Sequence, residues 1–167
     1  MNEIHYYVID SCSLIDLKKM NPPDIYEKPW NNIEKLIDSG RLFAPKQVFD
    51  EICQGDDELK KWVQKRHKKF IRQLDEFQIQ KTRELQAEYP SWVDINKETE
   101  IADPFIVALA MENDNNQRTL VPTIKKRIVV TQEKLDGNKI KIPFICKKHN
   151  IESIEIFDLF RKLAWKF

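Results

Sequence analysis

Four acidic residues stand where a carboxylate can do chemistry. In "VIDSCSLIDL", residues 8–17, an apolar strand runs straight into Asp10, and the small residues Ser11, Cys12 and Ser13 follow before apolar spacing resumes. A turn that only reverses the chain more often uses Gly, Pro or Asn, so this one presents a carboxylate at a strand tip. In "PKQVFDEI" two acids are adjacent, and helical geometry separates them. Asp50 points about 160° away from Val48 and Ile52, whereas Glu51 lies about 60° from Val48. Glu51 can therefore flank a buried face while Asp50 meets solvent. Asp103, in "EIADPFIVALA", precedes a proline and an apolar helix, and Glu133, in "VVTQEK", follows a strong strand by two residues.

Three or four carboxylates held together without Lys or Arg repel one another unless a cation neutralises them. An all-oxygen donor set selects a hard ion, Mg²⁺ or Mn²⁺. Such an ion lowers the pKa of bound water and stabilises charge on a phosphoryl oxygen, the two requirements of phosphodiester hydrolysis. Ser11 and Ser13 are candidates for positioning a metal-bound water or a substrate phosphate. Each acid also has a plainer reading. Asp103 before Pro104 is a good helix cap, and Glu51 and Glu133 taken alone are surface glutamates. The ordered set carries the signal; no single position does.

The elements that must position these residues alternate. "IHYYVI", residues 4–9, reads as a buried strand ending at Asp10. A helix around 11–19 stops at "NPPD", a second spans roughly 30–39 and closes at Gly40, and extended "RLFA" meets Pro45, which opens the helix "KQVFDEIC". Residues 56–88 are the most helical stretch. A continuous helix from Leu59 to Phe77 would put Leu59, Val63, Phe70, Leu74 and Phe77 on one face. "YPSWVDINKE" breaks the pattern, and a helix follows from Pro104 to about Asn113. "RIVVT" is the second convincing strand, "KIPFICKKHN" a short helix after Pro143, and "SIEI" a last strand before an amphipathic C-terminal helix. Strands separated by helices, the first apolar throughout, predict an α/β domain with a parallel sheet covered on both faces. In such sheets ligands sit outside the carboxyl ends of the strands, where Asp10 lies.

Composition narrows the function classes. A chain of 167 residues fits one domain, and 28 Lys and Arg against 27 Asp and Glu leave a net charge of +1, which selects no partner. Cys12, Cys53 and Cys146 are odd in number and widely spaced, which suits a reduced, cytoplasmic setting. The start "MNEIHYYVID" lacks the features of a signal peptide, and "FIVALAM" is too short to span a bilayer. None of the three glycines, Gly40, Gly55 and Gly137, belongs to a phosphate-cradling motif, which argues against dinucleotide and P-loop enzymes. Cys146 and His149 form a lone C-x-x-H, too few ligands for zinc.

Taken in order, "YYVIDSCSLIDL", "VFDEI", "ADPFIVALA" and "IVVTQEK" resemble the motifs of the PIN domain (PilT N-terminal domain) nucleases. The ending, with "KIPFICKKHNI" and "IEIFDLF", resembles a toxin-like prokaryotic branch of that superfamily. The resemblance covers nearly the whole chain. It implies a three-layer α/β/α fold and Mg²⁺- or Mn²⁺-dependent hydrolysis of single-stranded RNA, often as the toxin of a toxin and antitoxin pair. It places Asp10, Glu51 and Asp103 as the first three acids. Glu133 falls where the family more often has aspartate, and Asp136 is a nearby substitute for that fourth ligand.

On the assumed long helix Lys61, Lys65, Lys68 and Arg72 fall within about 60° of arc, a face that could track RNA phosphates, with Trp62, Tyr89 or Trp92 stacking bases if exposed. The plain alternative is the solvated side of an amphipathic helix. An antitoxin protein, or a second copy of the chain in a homodimer, is a further candidate partner. The rival to a ribonuclease is a non-catalytic module that binds RNA or a protein and keeps its acids for capping and solubility. A phosphoacceptor domain ranks last, lacking a downstream lysine to match.

Overall fold

The computed structural model describes residues 3–112 and 125–167. At its centre lies a four-stranded sheet, formed by β1 (Ile4–Ile9), β2 (Leu42–Phe43), β3 (Lys125–Val130) and β4 (Ser153–Ile154). The spatial order is β2-β1-β3-β4 and every pairing is parallel. β1 and β3 are in register along six residues, from Ile4 opposite Lys125 to Ile9 opposite Val130. The expected α/β class and three-layer α/β/α arrangement are therefore present. The first strand is not apolar-buried throughout: its start is exposed, and only Tyr7, Val8 and Ile9 are enclosed.

Helices α1 (Ser11–Met20) and α2 (Glu27–Asp38) connect β1 to β2, and α3 (Lys46–Cys53), α4 (Asp57–Phe70), α5 (Glu76–Glu88) and α6 (Asp103–Ala110) precede β3. α7 (Ile142–Lys148) links β3 to β4, and α8 (Ile156–Lys162) follows. α2 and α4 pack against each other and β2, while α6 rests on β1 and β3 and is flanked by α5 and α7. α6 is almost wholly apolar, with Pro104 and Ile106 through Ala110 buried. That is the expected composition of a helix enclosed on all sides. The helix ends at Ala110, where Met111 turns extended at φ −81°, ψ 129°, short of the expected end near Asn113, a residue outside those described.

The long helix from Leu59 to Phe77 does not exist. α4 ends at Phe70, and Ile71 turns extended at φ −87°, ψ 122°. The chain then runs beside Ala44, whose N–H donates to Phe70 O at 2.9 Å and whose carbonyl accepts from Arg72 N at 2.9 Å. Pairing with the sheet edge replaces helix continuation. α5 starts afresh through a capping box in which Asp75 accepts from Gln78 N and Gln78 accepts from Asp75 N. Only Leu59, Val63 and Phe70 form the buried stripe of α4.

The strand order reverses at β1. From β1 the chain crosses to β2 on one side, and from β3 it crosses to β4 on the other. The carboxyl ends of β1 and β3 therefore flank the topological switch point, the crevice where open α/β sheets bind ligands.

Candidate active site

Asp10 leaves β1 directly into that crevice, its N–H donating to Val130 O at 2.9 Å. It occupies the cap position of α1 but makes no side-chain cap bond. Its carboxylate instead accepts from Thr131 Oγ1 at 3.0 Å and Cys12 Sγ at 3.0 Å, both on Oδ2, with Ser11 Oγ 3.3 Å from Oδ1. Only 4% of Asp10 is exposed, a costly place for a charge without a cationic partner.

Glu51 reaches the same crevice from α3. Its Oε2 accepts from Ser11 Oγ at 2.6 Å and its Oε1 from Ala102 N at 3.1 Å. One carboxylate thus ties the start of α1, the middle of α3 and the entrance of α6 together. Val48 and Ile52 anchor α3 in the core, and Glu51 flanks that face as the helical wheel requires. Asp50 turns away to Lys46, 3.7 Å distant.

Asp103 opens α6. The cap position belongs to Ala102, and no side-chain cap bond forms there, so the capping explanation of Asp103 does not hold. Glu133 arrives from the segment after β3, where Thr131 Oγ1 accepts from its backbone N–H at 3.2 Å and its Oε2 accepts from Ile142 N at 2.9 Å. Asp136, the proposed substitute, is exposed and paired with Lys139 at 2.7 Å, so it plays no such part.

Asp10 and Asp103 feel the other acids. Burial, opposed by hydrogen bonds from Cys12 and Thr131 and reinforced by the charges of Glu51 and Glu133, raises the Asp10 pKa to about 6. Burial together with the charges of Glu133, Asp10 and Glu51 raises Asp103 to about 8. Among the described residues, the main influences on both carboxyls are burial, other acids and hydrogen bonds. Burial and the neighbouring Asp10 charge push the Cys12 thiol far up, so it acts as a neutral hydrogen-bond donor and not as a nucleophile.

This donor set suits a hard divalent cation: carboxylate oxygens only, one buried at Asp10 and three half-buried at Glu51, Asp103 and Glu133. Among the described residues no three His, Cys, Asp or Glu side chains make a ready group of direct ligands. Mg²⁺ does not demand one, since it keeps several waters and is commonly held through one or two carboxylates.

Other expected site residues fare differently. Ser11 is at the site, bound to Glu51. Ser13 is not: it is fully buried, with its hydroxyl unpartnered, because two residues further along α1 the side chain has turned about 200°. Lys61, Lys65 and Lys68 lie on the exposed side of α4. Arg72 is separated from them by the break at Ile71, its guanidinium carbon 3.6 Å from the Phe43 ring centroid. Tyr89 and Trp92 are buried against each other, centroids 5.9 Å apart, and offer no stacking surface. Trp62 is wedged edge-on against Trp30 and Phe70, its Nε1 donating to Glu34 at 3.0 Å.

Thr131 is the functional residue that sequence reasoning passed over. It carries one acid and positions another, and its signal was a hydroxyl residue immediately after an apolar strand. Cys12 was legible as a small residue after Asp10 and an adventitious soft-metal ligand, and the structure shows it as a hydrogen-bond donor to Asp10.

No curated protein and no solved structure matches the chain. A family model described as a domain of unknown function, DUF4411, matches residues 7–167, and with nearly its whole length covered the chain belongs to that family.

Proposed function

We propose that this protein is a metal-dependent endoribonuclease of the PIN type. The observation that carries the reading is the convergence of Asp10, Glu51, Asp103 and Glu133 at the switch point of a parallel sheet, where the charges of the other acids act on Asp10 and Asp103. Asp10 and Asp103 would hold the ion, Mg²⁺ or Mn²⁺, with Glu51 and Glu133 acting directly or through water. Bound there, the ion supplies Lewis-acid activation of water and stabilises charge on the phosphoryl oxygens. The chain's own contribution is preorganisation. Ser11 and the Ala102 N–H fix both oxygens of Glu51, Thr131 fixes Asp10, and the Ile142 N–H fixes Glu133. Such outer bonds orient ligands and are worth about 10–100-fold in metal affinity.

Single-stranded RNA is the substrate in this reading, and the toxin half of a toxin and antitoxin pair is the biological role that goes with the resemblance. Cys12, Cys53 and Cys146 are all free thiols, in keeping with a reducing cytoplasm. Among the described residues no helix is long and apolar enough to cross a membrane. A non-catalytic binding module is the second reading, and that no ready trio of direct ligands stands among the described residues is on its side.

Calorimetric titration with Mn²⁺ separates the two, because it needs no knowledge of the substrate. Saturable binding by the parent, lost in Asp10→Asn, together with Mn²⁺-dependent cleavage of single-stranded RNA that Asp103→Asn abolishes, is the expected result. No binding at millimolar ion and no cleavage would leave the module reading standing.

A further inference from the structure

At the carboxyl ends of β3 and β4 lies a cleft of about 420 Å³ that two residues of the acidic site help to line. Thr131 and Glu133 form part of its wall, and Lys134, Pro143, Lys147 and Ser153 are among the residues that complete it. Contact fixes its place: Thr131 donates to Asp10 Oδ2 at 3.0 Å, so one hydrogen bond joins the wall to the buried acid. A second cleft of about 290 Å³ continues from the first. The two share Leu135 and Lys147, and Asn138, Phe144 and Lys148 line the far part. Together they make a groove that starts at Glu133 and is bounded by the segment after β3 and by α7.

Resting on the ribonuclease reading above, we propose that this groove carries the nucleotides on one side of the scissile phosphate of single-stranded RNA, with Lys134 and Lys147 on phosphates and Leu135 and Phe144 beneath bases. Lys147 is exposed and, among the described residues, has no hydrogen-bond or ion-pair partner. Lys134 stands 3.6 Å from Glu155 with 79% of its side chain exposed, a weak surface pair that a phosphate can displace. Lys148 points its Nζ to the Phe144 ring, 4.9 Å from the centroid, and to Tyr89 Oη at 3.5 Å. The other acids of the near cleft are engaged, Glu155 with Lys134 and Asp158 with Arg161 at 2.7 Å. No carboxylate lines the far cleft.

Lys147 and Lys148 also lie in the last turn of α7, where a cation favours the helix dipole. That accounts for their charge, but not for Lys134 or for a groove that ends on Glu133. Size and chemistry point to nucleotides. The near cleft falls within the range of small-ligand pockets. Leu135, 51% exposed, and half-buried Phe144 give bases an apolar surface to lie on. The exposed Asn138 amide can donate to and accept from a base edge or a ribose 2′-hydroxyl.

The test is fluorescence anisotropy with a labelled eight-nucleotide single-stranded RNA, in EDTA so that no cleavage occurs, with Mn²⁺ calorimetry on the same proteins. Lys134→Gln and Lys147→Gln should each weaken RNA binding by up to about fivefold, and the double variant by about tenfold or more. Each should lower the slope of log affinity against log salt by about 0.7, while Mn²⁺ binding stays near the parent value. Lys35→Gln is the control for net charge, since Lys35 is exposed on α2, which packs against β2 at the opposite edge of the sheet. A loss under about twofold in the double variant overturns the groove, and so does an equal loss in Lys35→Gln. An octaglutamate peptide that binds as tightly and responds to the same variants also overturns it, making the groove a seat for an acidic protein segment. Mn²⁺ binding without RNA binding removes the groove and spares the metal centre. RNA binding that depends on Lys134 and Lys147 without any Mn²⁺ binding keeps the groove and removes the nuclease.

Discussion

Thr131 connects the two acids that end the central strands. Its hydroxyl donates to Asp10 Oδ2 at 3.0 Å and accepts from the Glu133 N–H at 3.2 Å, in surroundings where Thr131 is 1% exposed. Thr131→Val keeps the shape and removes both bonds, leaving an N–H and a carboxylate oxygen short of a partner. The expected cost is about 1–3 kcal/mol in urea unfolding, with Mn²⁺ affinity down about tenfold or more. Ser11→Ala acts on Glu51 instead: the Ala102 N–H still holds one oxygen, so Mn²⁺ affinity should fall while stability changes by about 1 kcal/mol or less. If both variants bind Mn²⁺ like the parent, these hydroxyls do not position the acids.

At the scale of elements, α5 latches the far end of the helix that presents Asp103. Gln78 closes the capping box of α5 and sends its Nε2 to the carbonyls of Leu109, at 3.3 Å, and Met111, at 3.1 Å. Both acceptors belong to the C-terminal end of α6, where backbone carbonyls lack helical partners. Asp75→Ala removes the cap alone and should cost about 1 kcal/mol. Gln78→Ala keeps the bond from the residue-78 N–H to Asp75 but removes the return bond to the Asp75 N–H and the whole latch, and should cost clearly more, since each carbonyl left unpaired in the interior adds about 1 kcal/mol or more. Urea unfolding of the two variants ranks them, and equal costs would mean that the latch contributes nothing. The box was legible as Asp75 and Gln78 three apart, a signature that marks a helix start and so a break before it. Apolar spacing alone ran through that break and joined α4 to α5.

For the whole molecule, the buried acids set a pH dependence. With the folded-state pKa raised from 3.8 to about 6 at Asp10 and to about 8 at Asp103, the metal-free folded chain keeps protons that the unfolded chain releases. Stability in EDTA therefore falls as pH rises from about 4 to about 8, by on the order of 3 kcal/mol for Asp10 alone. A divalent ion binds the ionised form and offsets the loss, about 2.7 kcal/mol at a hundredfold excess over its Kd. Thermal unfolding should show Tm in EDTA dropping between pH 5 and pH 8, Mn²⁺ restoring it at pH 8 and doing little at pH 5, and Asp103→Asn flattening the EDTA curve. A Tm in EDTA that holds or rises over that range would mean the acids do not repel. The sequence by itself determined the α/β class, the strand ends that carry Asp10 and Glu133, and the helix face that carries Glu51. Each follows from local periodicity, which fixes where a side chain points relative to its own element. Tertiary structure alone decided that Asp10, Glu51, Asp103 and Glu133 share one crevice, that Ser13 and Trp92 are enclosed, and that Arg72 lies apart from Lys61, Lys65 and Lys68. Those outcomes depend on strand order and on backbone pairing between Ala44 and Ile71, contacts between residues far apart in the chain that no local pattern encodes.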